Sequence, residues 1–362
     1  MARINPGLRV VYRNATSVQV GVGPGGFIVE GMTAADLAFV ETLRRGTAGR
    51  DLAAILADLD MSFARAAEIC RSLAPALFDD DDFHLPGLRG DRLLAEEHFL
   101  AGLHHHPALG LLDQREDAVV RIIGLGRTGA ALATALVTSG IGTLLLEDDR
   151  PVTASDVDGG AYGGPDIGLR RSLALRRRLL RLDAECRPHV VHGRDPGGPD
   201  LPRLDLVVQV GHDAVDAAAE ARLLAADRPH LYVLLREQDG VVGPLVVPGA
   251  TPCGECLERH RGAADPQWDE VSRQLAAGPP GTGPGRHPAL ESAALSTALA
   301  GTAAAQVLLY IDAVNRPGAW SATLTFHGAD GCWSRQELSA HPDCSCRIQD
   351  QALATISSTA EP

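Results

Sequence analysis

The chain has 362 residues, of which 45% are hydrophobic and 22% charged, and its net charge is −13. This length predicts two or three domains, and the composition is that of an ordinary globular protein. The acidic balance excludes a general nucleic-acid-binding role, because contact with phosphates requires a basic face. We expect neither a secretion signal nor a membrane segment. The sequence therefore predicts a cytoplasmic protein whose seven cysteines are metal ligands or buried thiols.

The first 82 residues alternate short apolar runs with turn residues and then with helix starts. Strands are predicted at Leu8–Tyr12, Ser17–Val22 and Gly26–Glu30. Thr33, Asp51 and Ser62 begin three helices, since Ser, Thr and Asp side chains cap a first helical turn. Three strands with three helices predict a small winged-helix domain. Such a domain also suits DNA binding, but the acidic charge and the few lysines of the third helix disfavour that role.

Residues 83–117 are predicted to be a linker that follows the aspartate run Asp79–Asp82. The linker contains three adjacent histidines, His104–His106, and histidine is a common metal ligand. Because no partner ligand follows at a regular spacing, we interpret them as part of a solvated linker.

Residues 118–350 are predicted to form an α/β domain, followed by a tail at 351–362. Apolar strands at 118–123, 143–146, 204–210 and 231–235 alternate with helices, which indicates a mostly parallel, Rossmann-like sheet. The first strand runs into Gly124-x-Gly126-x-x-Gly129, the spacing of a nucleotide-binding loop, and Asp149 after the next strand is a candidate for the ribose hydroxyl. The alternative is that these glycines serve only the packing of the fold.

Two cysteine pairs, Cys253-x-x-Cys256 and Cys344-x-Cys346, lie in the C-terminal half. Thiolates at these spacings predict a closed, structural Zn²⁺ site with four ligands. A redox Cys-x-x-Cys pair is the alternative, but it leaves the second pair unexplained. His260 is a further candidate ligand, and four cysteines make it unnecessary.

The order of glycine loop, acidic strand end and paired cysteines resembles the ThiF/MoeB-type adenylyltransferases, the superfamily of the ubiquitin-activating enzymes. The resemblance covers residues 118–350. It implies that the glycine loop binds ATP with Mg²⁺, that a carrier or peptide carboxylate is adenylated, that zinc holds the C-terminal elements, and that the protein is a homodimer.

Several positions depart from the family pattern. The family's Asn-x-x-Arg-Gln segment, whose arginine contacts ATP, is replaced by Asp156–Gly160, and the family's lysine is matched by Arg171. The magnesium-binding aspartate falls on His212, with Asp213 one residue later, and the sequence leaves that register open. Because phosphoryl chemistry needs cations on the triphosphate, the sequence predicts a domain that does not adenylate.

The first domain resembles the PqqD-like RiPP recognition element. Fused to a ThiF-like domain that ends in His-Pro-Asp-Cys-x-Cys, it makes the chain similar to the Ocin-ThiF-like proteins. These proteins bind precursor leader peptides in azole/azoline biosynthesis beside YcaO-type cyclodehydratases. By the family's geometry, the peptide groove is lined by Phe27, Ile28, Val29, Phe63, Ala66, Ile69 and Leu73. The alternative for each of these residues is a place in the domain core.

The resemblance therefore implies a leader-peptide-binding recruitment protein whose YcaO-type partner performs the chemistry. The alternative function is an active ATP-dependent adenylyltransferase acting on a peptide or carrier-protein carboxylate. ATP–pyrophosphate exchange distinguishes the two.

Overall fold

The computed structural model describes residues 2–23, 25–47, 49–79, 87–157, 160–192, 204–277 and 291–347. These residues form two compact units, divided after Asp113. The predicted tail, 351–362, and parts of two other predicted features, the aspartate run and the segment Asp156–Gly160, lie outside the described residues.

The first unit contains the three strands and three helices expected from the sequence, together with two very short strands. Its elements are β1 (Ala2–Ile4), β2 (Val10–Asn14), β3 (Ser17–Val20), β4 (Phe27–Val29), α1 (Ala34–Arg45), α2 (Leu52–Asp58), α3 (Phe63–Leu73) and β5 (Leu77–Asp79). Strands β2, β3 and β4 form an antiparallel sheet in that order, so β4 is an edge strand. Strands β1 and β5 pair separately, with Ala2 opposite Asp79.

The core of the first unit is built from alternate strand residues and one face of each helix. Val18 and Val20 point inward from β3, and Phe39 and Val40 do so from α1. Their spacing follows the two-residue period of a strand and the 3.6-residue period of a helix.

The segment predicted as a linker contains two helices, α4 (Gly87–His104) and α5 (Leu109–Asp117). Leu93, Leu100 and Ala101 of α4 are buried, and their spacing of seven and eight residues follows one helical face. His104 stacks on His106 with ring centroids 5.6 Å apart.

The capping of α1 gives a testable prediction. The Asp36 carboxylate accepts hydrogen bonds from the Thr33 amide at 2.8 Å and from the Arg65 guanidinium at 2.8 Å, which joins α1 to α3. Thr33 is the N-terminal cap of α1 and Asp36 is its partner in the capping box. We expect Asp36→Ala to destabilise α1 by about 1 kcal/mol, the usual contribution of such a hydrogen bond. The Arg65 hydrogen bond lowers the pKa of Asp36 in the folded protein. The Asp36 carboxylate therefore contributes its full stabilisation above the ordinary pKa of 3.8, and this stabilisation is lost as the pH falls through the lower pKa of the folded state.

Hydrogen exchange of α1 amides, followed by mass spectrometry, measures this effect. The difference between wild type and Asp36→Ala should be present at about pH 7 and should shrink below about pH 3. A difference that does not change with pH would contradict the role of the ionised carboxylate.

The second unit alternates strands and helices and then ends in antiparallel strands. Its elements after α5 are β6 (Val119–Ile123), α6 (Arg127–Thr138), β7 (Thr143–Glu147), α7 (Arg171–Leu182), β8 (Arg187–Val190), β9 (Leu206–His212), α8 (Ala217–Ala225), β10 (His230–Arg236), β11 (Asp239–Val246), α9 (Gly254–Ala264), α10 (Trp268–Ala277), α11 (Ala293–Asp312), β12 (Ala322–Phe326) and β13 (Trp333–Glu337).

These strands form one sheet in the order β13-β12-β11-β10-β9-β6-β7-β8. Strands β6 to β10 are parallel, and β11, β12 and β13 are antiparallel to their neighbours. The predicted mostly parallel, Rossmann-like sheet is thus confirmed. Strands β7 and β8 are added on one side of β6, and β9 and β10 lie on its other side, so the strand order switches between β6 and β9. Ligands of such sheets bind at the carboxyl ends of the strands at this switch point.

Helix α11 is the apolar core helix of the second unit. Among the described helices it alone is long and apolar enough to cross a membrane, and half of its apolar stretch is buried inside the protein. Leu295, Leu299, Ala303 and Val307 pack into the main hydrophobic core beside α6 and the sheet. Small alanine side chains on both α6 and α11 allow the two helices to approach closely.

Candidate functional site

The four paired cysteines converge on one buried cluster. The Sγ atoms of Cys253 and Cys256 are 3.8 Å apart, those of Cys253 and Cys344 are 3.5 Å apart, and those of Cys256 and Cys346 are 3.4 Å apart. All four sulfur atoms lie within 4.8 Å of one another. Four thiolates about 2.3 Å from a central tetrahedral ion have separations of this size, so the residues fit a metal ion.

Local backbone structure sets the position of each pair. Cys253 is the N-terminal cap of α9, and Cys256 lies in its first turn. The His341 amide, just ahead of the second pair, donates a hydrogen bond to Cys256 Sγ at 3.3 Å. Hydrogen bonds to the Cys256 sulfur, chiefly from the Cys253 thiol, lower the pKa of Cys256 and so favour its thiolate. A closed set of four ligands serves structure, since it leaves no position for a substrate.

The glycine loop lies between β6 and α6, at the point where the strand order of the sheet switches. Gly124 has φ +87°, and a side chain there would collide with the carbonyl oxygen of Val210. A side chain at Gly129 would collide with the carbonyl oxygen of Gly124. Packing of the fold therefore requires both of these glycines whether or not a nucleotide binds.

Asp148, and not the predicted Asp149, is the acidic residue that reaches this loop. The Asp148 carboxylate is buried and accepts a hydrogen bond from the Leu125 amide at 3.0 Å. Asp149 is largely exposed, and its partners are His192 at 3.1 Å and Arg170 at 3.9 Å. The two residues point to different sides because neighbouring residues at a strand end alternate in direction.

Arg171 lies at the family's lysine position and is buried between two carboxylates. Its guanidinium donates to Asp156 at 2.7 Å and to Asp148 at 3.1 Å. Burial opposes its charge, but the hydrogen bonds and charges of Asp156 and Asp148 outweigh that cost and raise the pKa of Arg171. Two carboxylates of the protein itself therefore hold this cation.

The end of β9 shows which residue faces the glycine loop. His212 Nε2 lies 3.4 Å from the Glu291 carboxylate, whose other oxygen accepts a hydrogen bond from the Thr128 amide at 2.7 Å. Asp213 instead lines a cavity of about 910 Å³ together with Arg236. The sequence left this register open, and the structure places His212 at the loop. Glu291 was not expected from the sequence, and Asp148 was expected only as a member of the acidic run in which Asp149 was the candidate. Glu291 precedes α11 and is brought to the loop by tertiary structure.

In the first unit, the seven predicted groove residues separate into two groups. Ala66, Ile69 and Leu73 are at most 3% exposed and belong to the core, so the expectation that they line a groove is corrected. They share one face of α3, and this face packs inward. Phe27 and Val29 are half-buried against the core. Ile28 and Phe63 are exposed, at 45% and 60%.

The ThiF family model matches residues 108–348 of the chain. Similar solved structures include E. coli MccB with ATP, which is 17% identical with a TM-score of 0.66 and matches over 95% of this chain and 99% of that chain. E. coli MccB with AMPCPP and MccA is also 17% identical, with a TM-score of 0.68 over 95% and 98% of the two chains. PaaA is 17% identical, with a TM-score of 0.67 over 92% and 98%. No curated protein matches the sequence.

Identities this low establish a shared fold and carry no residue roles. The family model is the stronger finding, because it spans more than half of the 362 residues and includes the glycine loop, α11 and both cysteine pairs. The chain belongs to the ThiF family.

Proposed function

We propose that this protein binds the leader of a ribosomally made precursor peptide and recruits it to a YcaO-type cyclodehydratase. The observation that carries the proposal is the edge strand β4, on whose outer side no described strand pairs. An extended peptide adds to such an edge through backbone hydrogen bonds, and pockets beside the edge select its side chains. The similar structure of E. coli MccB with MccA is consistent with a peptide ligand for this fold.

The surroundings of β4 suit an apolar segment of the peptide. Phe27 and Val29 are half-buried and pack against the core, so part of each side chain remains available at the edge. Phe63, at the start of α3, adds a large exposed apolar surface. In the family that the sequence resembles, the third strand and third helix line one groove, so we assign Phe63 as the aromatic anchor for a peptide side chain.

The ThiF-like unit serves this role as a scaffold. We propose that the four cysteines hold a structural Zn²⁺ ion and that the protein is a homodimer. Arg171 is already paired with Asp148 and Asp156, which favours the scaffold over the alternative of an active adenylyltransferase. The alternative would be supported by ATP–pyrophosphate exchange that depends on a peptide or carrier protein.

Peptide binding by the full chain tests the proposal directly. The proposal predicts a short Cys/Ser/Thr-rich open reading frame beside this gene, and the probe is a fluorescein-labelled synthetic peptide that covers its leader. Binding of this peptide is followed by fluorescence anisotropy. We expect Phe63→Asp to weaken binding by about tenfold or more, since a central aromatic anchor contributes about 2 kcal/mol. An aspartate in the first turn of α3 is compatible with the helix, so the fold is preserved.

Phe99→Asp is the matched control, because Phe99 is also an exposed helical phenylalanine of the first unit, at 62% against 60% for Phe63. It lies beside β1 and β2 in a separate cavity, and its replacement should leave binding unchanged. No binding of the leader by wild type, or loss of binding in Phe99→Asp alone, would contradict the proposed site.

A further inference from the structure

Glu291 places a carboxylate of the protein at the anion-binding end of α6. Its Oε2 accepts hydrogen bonds from the Thr128 amide at 2.7 Å and from the Thr128 hydroxyl at 2.9 Å. Thr128 is the second residue of α6, so this amide is one of those that a helix leaves without an internal partner. The positive end of the helix dipole adds to the attraction. Amides of this kind are the ones that hold phosphate in glycine-loop proteins.

The Glu291 side chain is enclosed. It is only 6% exposed, and its second oxygen lies 3.4 Å from His212 Nε2. A side chain at Gly126 would collide with this carboxylate, which shows that the carboxylate lies directly over the middle glycine of the loop. The Arg127 guanidinium also donates to the Glu291 carbonyl oxygen at 3.2 Å, which fixes the backbone there.

The carboxylate is favoured in its ionised form. Burial opposes the charge, but hydrogen bonds from His212 and Thr128 outweigh it, so the pKa of Glu291 lies below its ordinary value. Elsewhere in the loop, the Leu125 amide is bonded to the Asp148 carboxylate. Two backbone donors of the glycine loop are thus occupied by carboxylates of the chain.

We propose that Glu291 acts as an internal substitute for a nucleotide phosphate and keeps ATP out of the glycine loop. A triphosphate at this loop would meet the like charge of the Glu291 carboxylate and would find the Thr128 donors already used. ATP does not fit the loop as it stands. The inference concerns the second unit alone and goes beyond the proposed peptide binding.

A competing role for Glu291 makes the opposite prediction. A carboxylate beside a threonine hydroxyl is also suited to hold Mg²⁺ on a bound nucleotide. If Glu291 served that role, its removal would weaken the binding of ATP with Mg²⁺. If Glu291 blocks the loop, its removal strengthens ATP binding.

The test measures binding of radiolabelled ATP to the full chain by equilibrium dialysis, with Mg²⁺ and with EDTA. We expect no saturation of wild type up to about 1 mM. Binding by Glu291→Ala should be about tenfold tighter or more, because the variant frees the amide and hydroxyl of Thr128 and removes the like charge. Glu291→Gln keeps the shape and removes the charge, so it should also bind ATP more tightly than wild type, though less than Glu291→Ala.

Glu337→Ala is the control, because it removes one negative charge from an exposed position of the same unit, with a side chain 85% exposed. It should bind ATP as wild type does. Thermal unfolding is used to check that each variant is folded. If Glu291→Ala is unfolded, the result for Glu291→Gln decides the test. Micromolar binding of ATP by wild type, or binding by the folded Glu291 variants that is no tighter than that of wild type, would overturn the inference. Neither result bears on leader-peptide binding, which is measured separately.

Discussion

Replacing Cys253 or Cys344 with serine should remove the metal ion and destabilise the second unit severely. Each of these cysteines is at most 3% exposed, and each supplies one of four sulfur atoms gathered around one point. A structural Zn²⁺ with four thiolates contributes about 10 kcal/mol or more to the folding of small zinc domains. We therefore expect a fall from about one zinc ion per chain to nearly none. We also expect a fall in the melting temperature of the unit.

Zinc content by atomic emission and unfolding by calorimetry measure the two effects. Cys332→Ser is the matched control, since Cys332 is an exposed cysteine near β13 that lies outside the cluster. It should keep the metal content and melting temperature of wild type. Undiminished zinc in both Cys253→Ser and Cys344→Ser would show that the cluster is not the metal site.

Replacing Arg171 with alanine should destabilise the second unit by about 3 kcal/mol or more, the cost of leaving a buried charge without its partner. The guanidinium is 7% exposed and bridges Asp148 and Asp156, whose side chains are 3% and 5% exposed. Asp156 would remain buried without its cation, and Asp148 would keep only the exposed Arg150 as a cationic partner. Arg171→Lys should recover only part of the loss, because one ammonium cannot reproduce the planar contacts to both.

Urea unfolding at neutral pH measures this effect. Arg150→Ala is an informative control, because Arg150 pairs with the same Asp148 at 2.9 Å but is 55% exposed. Loss of that ion pair should change the free energy of unfolding by less than about 1 kcal/mol. An Arg171→Ala variant as stable as wild type would leave Arg171 free for a role in ligand binding, contrary to the scaffold proposal.

Much of the fold could be predicted from local sequence pattern. The glycine loop, the alternation of strands with helices and the capping residues Thr33 and Ser62 are encoded within a few neighbouring residues, and each is where the sequence predicts it. The convergence of the cysteine pairs was predictable for a different reason. Two cysteine pairs at these spacings are typical of one shared metal site, and such a site requires the two pairs to meet.

Other parts of the site depend on tertiary structure and were not predictable. Asp148 and Asp149 differ by one position, and only the direction of the chain after β7 decides which of them turns inward. Glu291 contacts Thr128 across 163 residues, and nothing in its neighbours indicates that contact. Strands β1 and β5 have three residues each and pair between distant parts of the first unit. Such short strands carry no local sequence pattern that would predict their pairing.

The groove residues were difficult to predict for a related reason. Ala66, Ile69 and Leu73 follow a helical period that fits a core face and a binding face equally well. The face that packs inward is decided by the strands and helices around it. Phe63 is the first residue of α3 and precedes Ala66, the first buried residue of the helix, so its side chain is exposed.

The separation of the cysteine pairs has a consequence for the time at which the second unit matures on the ribosome. Cys253 contacts Cys344 across 91 residues, and the intervening chain contains α10, α11, β12 and β13. The first pair emerges early and offers two sulfur ligands alone, which hold zinc far less tightly than four do. Under the proposal that the cluster holds Zn²⁺, tight metal capture should wait until the last strands have been synthesised. Zinc retention should then report that a nascent chain has reached its full ThiF-like architecture.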